Sequence, residues 1–90
     1  MVCITRIVLD VLKPHQPNAV EFAATIAEKS GGGSVYLTVT AVDEQTETVA
    51  VDINGDELQY DSIVAVISAL GGSVHSIDEV EVHNPVSDAD

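Results

Sequence analysis

Carboxylates and histidines are the side chains of this ninety-residue protein best suited to binding a metal or moving a proton. Asp43, Glu44 and Glu47 fall in one short stretch and offer the hard oxygen ligands that calcium and magnesium take. They lack the alternating acids, central glycine and closing glutamate of a calcium loop, so a solvated hairpin tip is the plainer reading. Asp78 is a fourth candidate ligand. It either makes an edge strand unsociable by its charge or completes a site with another subunit. His15 and His75 beside carboxylates would suit a metal site or an acid–base pair. Their spacing fits no ligand motif, and a surface loop role for His15 and a hydrogen bond from His75 to Asp10 are the simpler expectations. Ser73 and Ser76 flank His75 along one extended run, without the strained turn and oxyanion donors that a nucleophilic serine needs. Catalysis is therefore not expected. No cofactor is specified, and any bound ion is expected to be calcium or magnesium. A lone cysteine, Cys3, and scattered histidines do not suggest structural zinc.

Charge narrows the partners. Fifteen acidic residues against three basic ones give a net charge of −12, which repels phosphate backbones and anionic lipid alike. Nucleic acid and membrane are not expected partners. The acids are spread along the chain rather than clustered, as in proteins of a salt-rich cell interior, where dense carboxylates stay hydrated and their repulsion is screened. The single cysteine implies a reducing compartment, and neither a leader nor a membrane-length apolar run is read, which together predict a cytoplasmic protein.

The positions of these residues depend on the elements that carry them. Ile7, Leu9 and Val11 alternate with Arg6, Val8 and Asp10, the period of a strand with one fully apolar face. The other face is partly apolar through Val8, as expected of a central strand, placed over about 4–12. Pro14 and Pro17 stiffen the next connection, and a helix is predicted near 17–29, with Pro17 at its first turn or Asn18 as its cap. Its apolar stripe is read as Val20, Ala23, Ala24 and Ala27, with Phe22 and Ile26 at helical spacing. Gly31, Gly32 and Gly33 stop it, and without a lysine or a following helix they are not a phosphate loop.

Ser34–Val42 alternates again, with Val35, Leu37, Val39 and Ala41 inward and Tyr36, Thr38 and Thr40 outward. A turn over 43–47 and a strand over about 48–54 follow, and Asn54-Gly55-Asp56 signals a turn into a second helix near 60–70. Gly71 ends that helix, and a last strand covers about 73–82. The order strand, helix, strand, strand, helix, strand predicts an α+β, ferredoxin-like fold. Both helices would lie on one face of a four-stranded antiparallel sheet. One domain over 1–82 and a flexible acidic tail over 83–90 complete the plan.

The segments Arg6-Ile-Val-Leu-Asp-Val-Leu-Lys-Pro-His15 and Gly71-Gly-Ser-Val-His-Ser-Ile-Asp-Glu-Val80 resemble the archaeal domain-of-unknown-function family numbered 211. The resemblance runs from the first strand to the last. It implies small ferredoxin-like proteins assembling as closed homo-oligomers, with no catalytic activity to carry over and with calcium among the ions bound. No ligand is assigned by it, and the triple glycine replaces a more acidic loop expected after the first helix. An archaeal, salt-loving source would join this resemblance to the acidic composition.

Two classes of function follow. One is a structural or interaction protein whose homo-oligomer, a ring or cage, is the working unit. The other is a module that senses a divalent cation or small metabolite between subunits. The expected interface is the sheet face without helices: Arg6 opposite Glu79, Val8 opposite Ile77 with Tyr36 nearby, and Asp10 opposite His75. That register turns Asp78 toward the core, a strain that a bulge near Ile77 or Asp78 would relieve.

Overall fold

A computed structural model of the chain describes residues 1–31 and 33–85. The elements are β1 (Cys3–Pro14), α1 (Ala19–Lys29), β2 (Ser34–Val42), β3 (Thr46–Leu58), α2 (Tyr60–Ala69) and β4 (Ser73–His83). The four strands form one antiparallel sheet in the order β2-β3-β1-β4, so β1 is central as its apolar character requires. The fold is the α+β, ferredoxin-like one.

One face of the sheet carries the core. Ile7, Leu9 and Val11 of β1 and Val49, Val51 and Ile53 of β3 pack against Phe22 and Ile26 of α1 and Ile63 and Ile67 of α2, all fully or almost fully buried. Both helices lie on this face. Leu9 makes no contact with solvent, and its truncation to alanine would cost about 2–5 kcal/mol. In α1 the Phe22–Ile26 pair, and not the stripe from Val20, makes the seam. Val20 and Ala24 are exposed. Two large side chains at helical spacing remove more apolar area from water than a row of alanines, so they set the roll of the helix. Asn18 caps α1 by accepting the Glu21 N–H at 2.9 Å. Pro17 therefore precedes the helix.

Local irregularities account for the departures from the expected boundaries. The Asn54-Gly55-Asp56 run is not a turn but part of β3, which continues to the buried Leu58. Asn54 pairs with Arg6 and Leu58 with Ile4, so four residues of β3 span two of β1 and the extra ones bulge, as glycine inside a strand allows. Gly33, at φ 98°, brings the chain against this bulge, where a Cβ would lie 1.8 Å from the Asn54 carbonyl oxygen. Gly31 has φ 101° just beyond the Ser30 C-cap of α1. The expected stop of α1 is thus met there, while Gly32 lies outside the described residues. In β2 the register shifts between Val39 and Ala41, which pairs Ala41 with Thr48 and turns it outward rather than inward.

The largest correction concerns β1 against β4. Val11–Val74 and Leu12–Ser73 follow the expected register, but it shifts at His75 and again at Asp78. Asp10 then lies opposite Ser76, Val8 opposite Glu79 and Arg6 opposite Glu81. Each slip leaves one β4 residue without a partner and exchanges the faces beyond it. The second one lets Asp78 remain exposed instead of entering the core. The same slips pair Ile77 with Leu9, on the helix-covered side, so Ile77 does not share a face with Val8. The last strand also includes His83, the first residue of the expected tail. Residues 86–90 of that tail lie outside the described residues.

Candidate functional site

Lys13 continues the alternation of Ile7, Leu9 and Val11, and so points into the apolar side of the sheet. It is completely buried. Burying an ammonium group requires acceptors, and three features supply them. Lys13 Nζ donates to Glu47 Oε1 at 3.1 Å and to the Pro14 carbonyl at 2.8 Å, and lies 5.7 Å from the centre of the Phe22 ring. Glu47 faces Lys13 directly across β1 and β3.

The second oxygen of Glu47 takes a second cation. His15 Nδ1 lies 3.1 Å from Glu47 Oε2, while its Nε2 lies 3.0 Å from the Asp43 carbonyl oxygen and 2.9 Å from that of Glu44. Both ring nitrogens face acceptors only. A neutral imidazole has a single N–H, so only the imidazolium satisfies all these contacts. The Glu47 hydrogen bond, followed by the Glu44 carbonyl, raises the His15 pKa above its ordinary value. In return His15 and then Lys13 lower that of Glu47. The cluster is a clamp that ties the end of β1 to the β2–β3 turn, which closes on itself through an Asp43 N–H to Thr46 carbonyl bond of 2.8 Å.

The open face of the sheet carries the other ion pairs. Arg6 grips Asp52 of β3 with two bonds, Nε to Oδ1 at 3.1 Å and Nη2 to Oδ2 at 3.0 Å, and reaches Glu79 of β4 through Nη1 at 2.7 Å. Hydrogen bonds that Arg6 donates to Asp52 and then to Glu79 raise its pKa further. Asn54 holds Asp52 Oδ1 at 3.0 Å. His75 Nδ1 lies 3.3 Å from Asp10 Oδ2. The side-chain partnerships expected of Arg6 with Glu79 and of Asp10 with His75 thus exist, formed diagonally rather than between directly opposed residues. Val8 and Tyr36 share the open face in the row Tyr36–Asp52–Val8–Glu79.

Of the four candidate metal ligands, Glu47 has both oxygens committed to cations within the chain. Asp43 and Glu44 sit exposed at the turn, and Asp78 sits on the bulged edge of β4, accepting from the Ser76 hydroxyl at 2.7 Å. Among the described residues no group of three or more histidine, cysteine, aspartate or glutamate side chains could hold a metal ion. His75, on the edge strand β4, is not among the partners of His15, which are Glu47 and the carbonyls of Asp43 and Glu44. Cys3 is half-buried, with Sγ 3.7 Å from Glu57 Oε2.

Two members of these clusters escape a reading of local patterns. Lys13 could have been placed inward from the period of β1, which would have required an anion such as Glu47 beside it. Asp52 alternates outward between Val51 and Ile53, and considering β3 as well as β4 beside β1 would have offered it to Arg6.

No helix is long and apolar enough to cross a membrane, among the described residues. Comparison with known proteins agrees with the motifs in β1 and β4. An uncharacterized protein of Methanocaldococcus jannaschii is 47% identical over 77 residues, covering 86% of this chain and 79% of that protein. The model of the domain-of-unknown-function family numbered 211, described as uncharacterized ArCR, matches residues 5–88. The chain belongs to that family.

Proposed function

We propose that this protein works as a non-enzymatic homo-oligomer, a ring or cage assembled through the open face of its sheet, in a salt-rich cytoplasm. The observation that carries the reading is the apolar content of that face. Val8 lies at its centre, flanked along β1 by Arg6 and Asp10, with Tyr36 72% exposed in the same row and Leu12 42% exposed further along. Such a face on a small domain is economically covered by another copy. Ile77 belongs to the other side, so the contact centres on Val8, Tyr36 and Leu12, with Arg6, Asp10, His75 and Glu79 as its charged rim. Val8→Asp tests it, placing a carboxylate at the centre of the contact. The variant should sediment as a smaller species than the wild type in molar potassium chloride. An unchanged mass would remove the face from the assembly.

The second reading is a binding or sensing module that takes calcium or magnesium at carboxylates gathered from several copies. The exposed Asp43 and Glu44 favour it, since neither carboxylate has a hydrogen bond within the chain among the described residues. Closing a symmetric assembly brings such groups together, and a divalent ion offsets their repulsion. Native mass spectrometry before and after chelation separates the two. Assemblies that keep their mass after chelation support the first reading, and ion mass retained in the untreated assembly supports the second.

A further inference from the structure

We propose that the outer edge of β2 pairs, antiparallel and across a two-fold axis, with the β2 edge of a second copy of this chain. β2 is the terminal strand of the order β2-β3-β1-β4, so one side of its backbone has no partner strand among the described residues. An edge of this kind presents a row of N–H and C=O groups ready to accept another strand. Natural edges are usually protected by charge, proline, bulges or shortness. Ser34–Val42 has nine residues, none charged and none proline, in a chain of net charge −12. It is rich in β-branched residues, and Tyr36, Val39 and Val42 are 72%, 41% and 66% exposed. Its single bulge, at Thr40, leaves Ser34–Val39 in regular register.

The opposite edge is built differently. β4 carries Asp78, Glu79 and Glu81, and its register against β1 breaks at His75 and at Asp78. Two copies of a chain this acidic repel each other, and joining them through β4 would add carboxylates to the contact. Joining them through β2 places hydroxyls and aliphatic groups opposite each other, so the local cost of like charge is least there. That difference in charge between the two edges selects both the strand and the partner. An isologous antiparallel contact uses the same edge of both copies and closes after two. The result is a continuous eight-stranded sheet. This contact is separate from the proposed contact through the open face, and either can exist without the other.

Hydrogen exchange of the wild-type chain in molar potassium chloride, followed residue by residue over a range of protein concentrations, tests the pairing. An unpaired edge strand shows alternation, because every second amide faces solvent. With β2 paired, the amides of 34–39 should all exchange slowly at high concentration, and alternate ones should become fast on dilution. The outward amides of 73–83 should be fast throughout. At low salt Thr38→Asp, on the exposed side of β2, should weaken the pairing at least tenfold, and it should lose much of that effect in molar potassium chloride. Thr38→Val should leave it intact, and Val8→Asp should not remove the protection of 34–39. Persistent alternation along 34–39 at every concentration would overturn the proposal. So would concentration-dependent protection of β4 in place of β2, or equal association of the two Thr38 variants at low salt.

Discussion

The Lys13 ammonium, completely buried, lies 3.1 Å from the carboxylate of Glu47, directly across the two central strands. A buried pair of this sort contributes little beyond an apolar pair of equal volume, yet it penalises the removal of one partner severely. Glu47→Ala should therefore lower the melting temperature far more than Lys13→Met, with a gap on the order of 5 °C or more for a domain of this size. Thermal unfolding followed by circular dichroism measures it. Equal losses would mean that the lysine finds other acceptors.

The same cluster predicts a pH window. Glu47 has its pKa lowered in the folded chain, so its contribution is present above the ordinary carboxylate range and is lost as pH falls through the lowered value. His15 has its pKa raised, so its contribution is complete below about pH 6.5 and is lost as pH rises through the raised value. Both are present together between roughly pH 4.5 and 6.5, where the clamp on the β2–β3 turn should be firmest. Histidine NMR should show His15 titrating above the ordinary histidine value. His15→Gln should abolish the alkaline loss of stability assigned to this residue. A His15 that titrates below its ordinary value would contradict the geometry.

The two positive-φ glycines after α1 should differ in their tolerance of a side chain. At Gly31 the nearest atom to an added Cβ is 3.7 Å away, so Gly31→Ala costs only the backbone strain, about 1 kcal/mol. At Gly33 the Cβ would meet the Asn54 carbonyl oxygen at 1.8 Å, and the loop must move away from β3. Gly33→Ala should cost more than that, about 2–3 kcal/mol. Chemical denaturation of the two variants reads the difference, and equal midpoints would refute it.

Much of this fold is legible because its core obeys simple periods. Ile7, Leu9 and Val11 alternate, as do Val49, Val51 and Ile53, and all of them are buried, so strand identity, orientation and the β2-β3-β1-β4 order follow from them. What escapes the pattern is set by places where the chain breaks its own period. The bulges at His75 and Asp78 free a carboxylate from the core, and in doing so move Ile77 to the helix side. The bulge around Gly55 hides strand continuation behind residues that usually turn. The candidate site is legible in part for the same reason. His15 and the turn residues meet because the topology places their chain ends together. The pairing of Arg6 with Asp52 depends on the β1–β3 register, and the diagonal reach of Arg6 to Glu79 depends on a bulge.

The central claim is that the working unit is an assembly held through the open face around Val8. Sedimentation equilibrium of the wild type and of Val8→Asp, side by side in molar potassium chloride, tests it most directly. Screening at that salt concentration removes most of the repulsion between two chains of net charge −12, so any apolar association is seen at its strongest. The predicted result is a single closed oligomer for the wild type and a smaller species for the variant. A wild type that sediments as a monomer under these conditions would contradict the account.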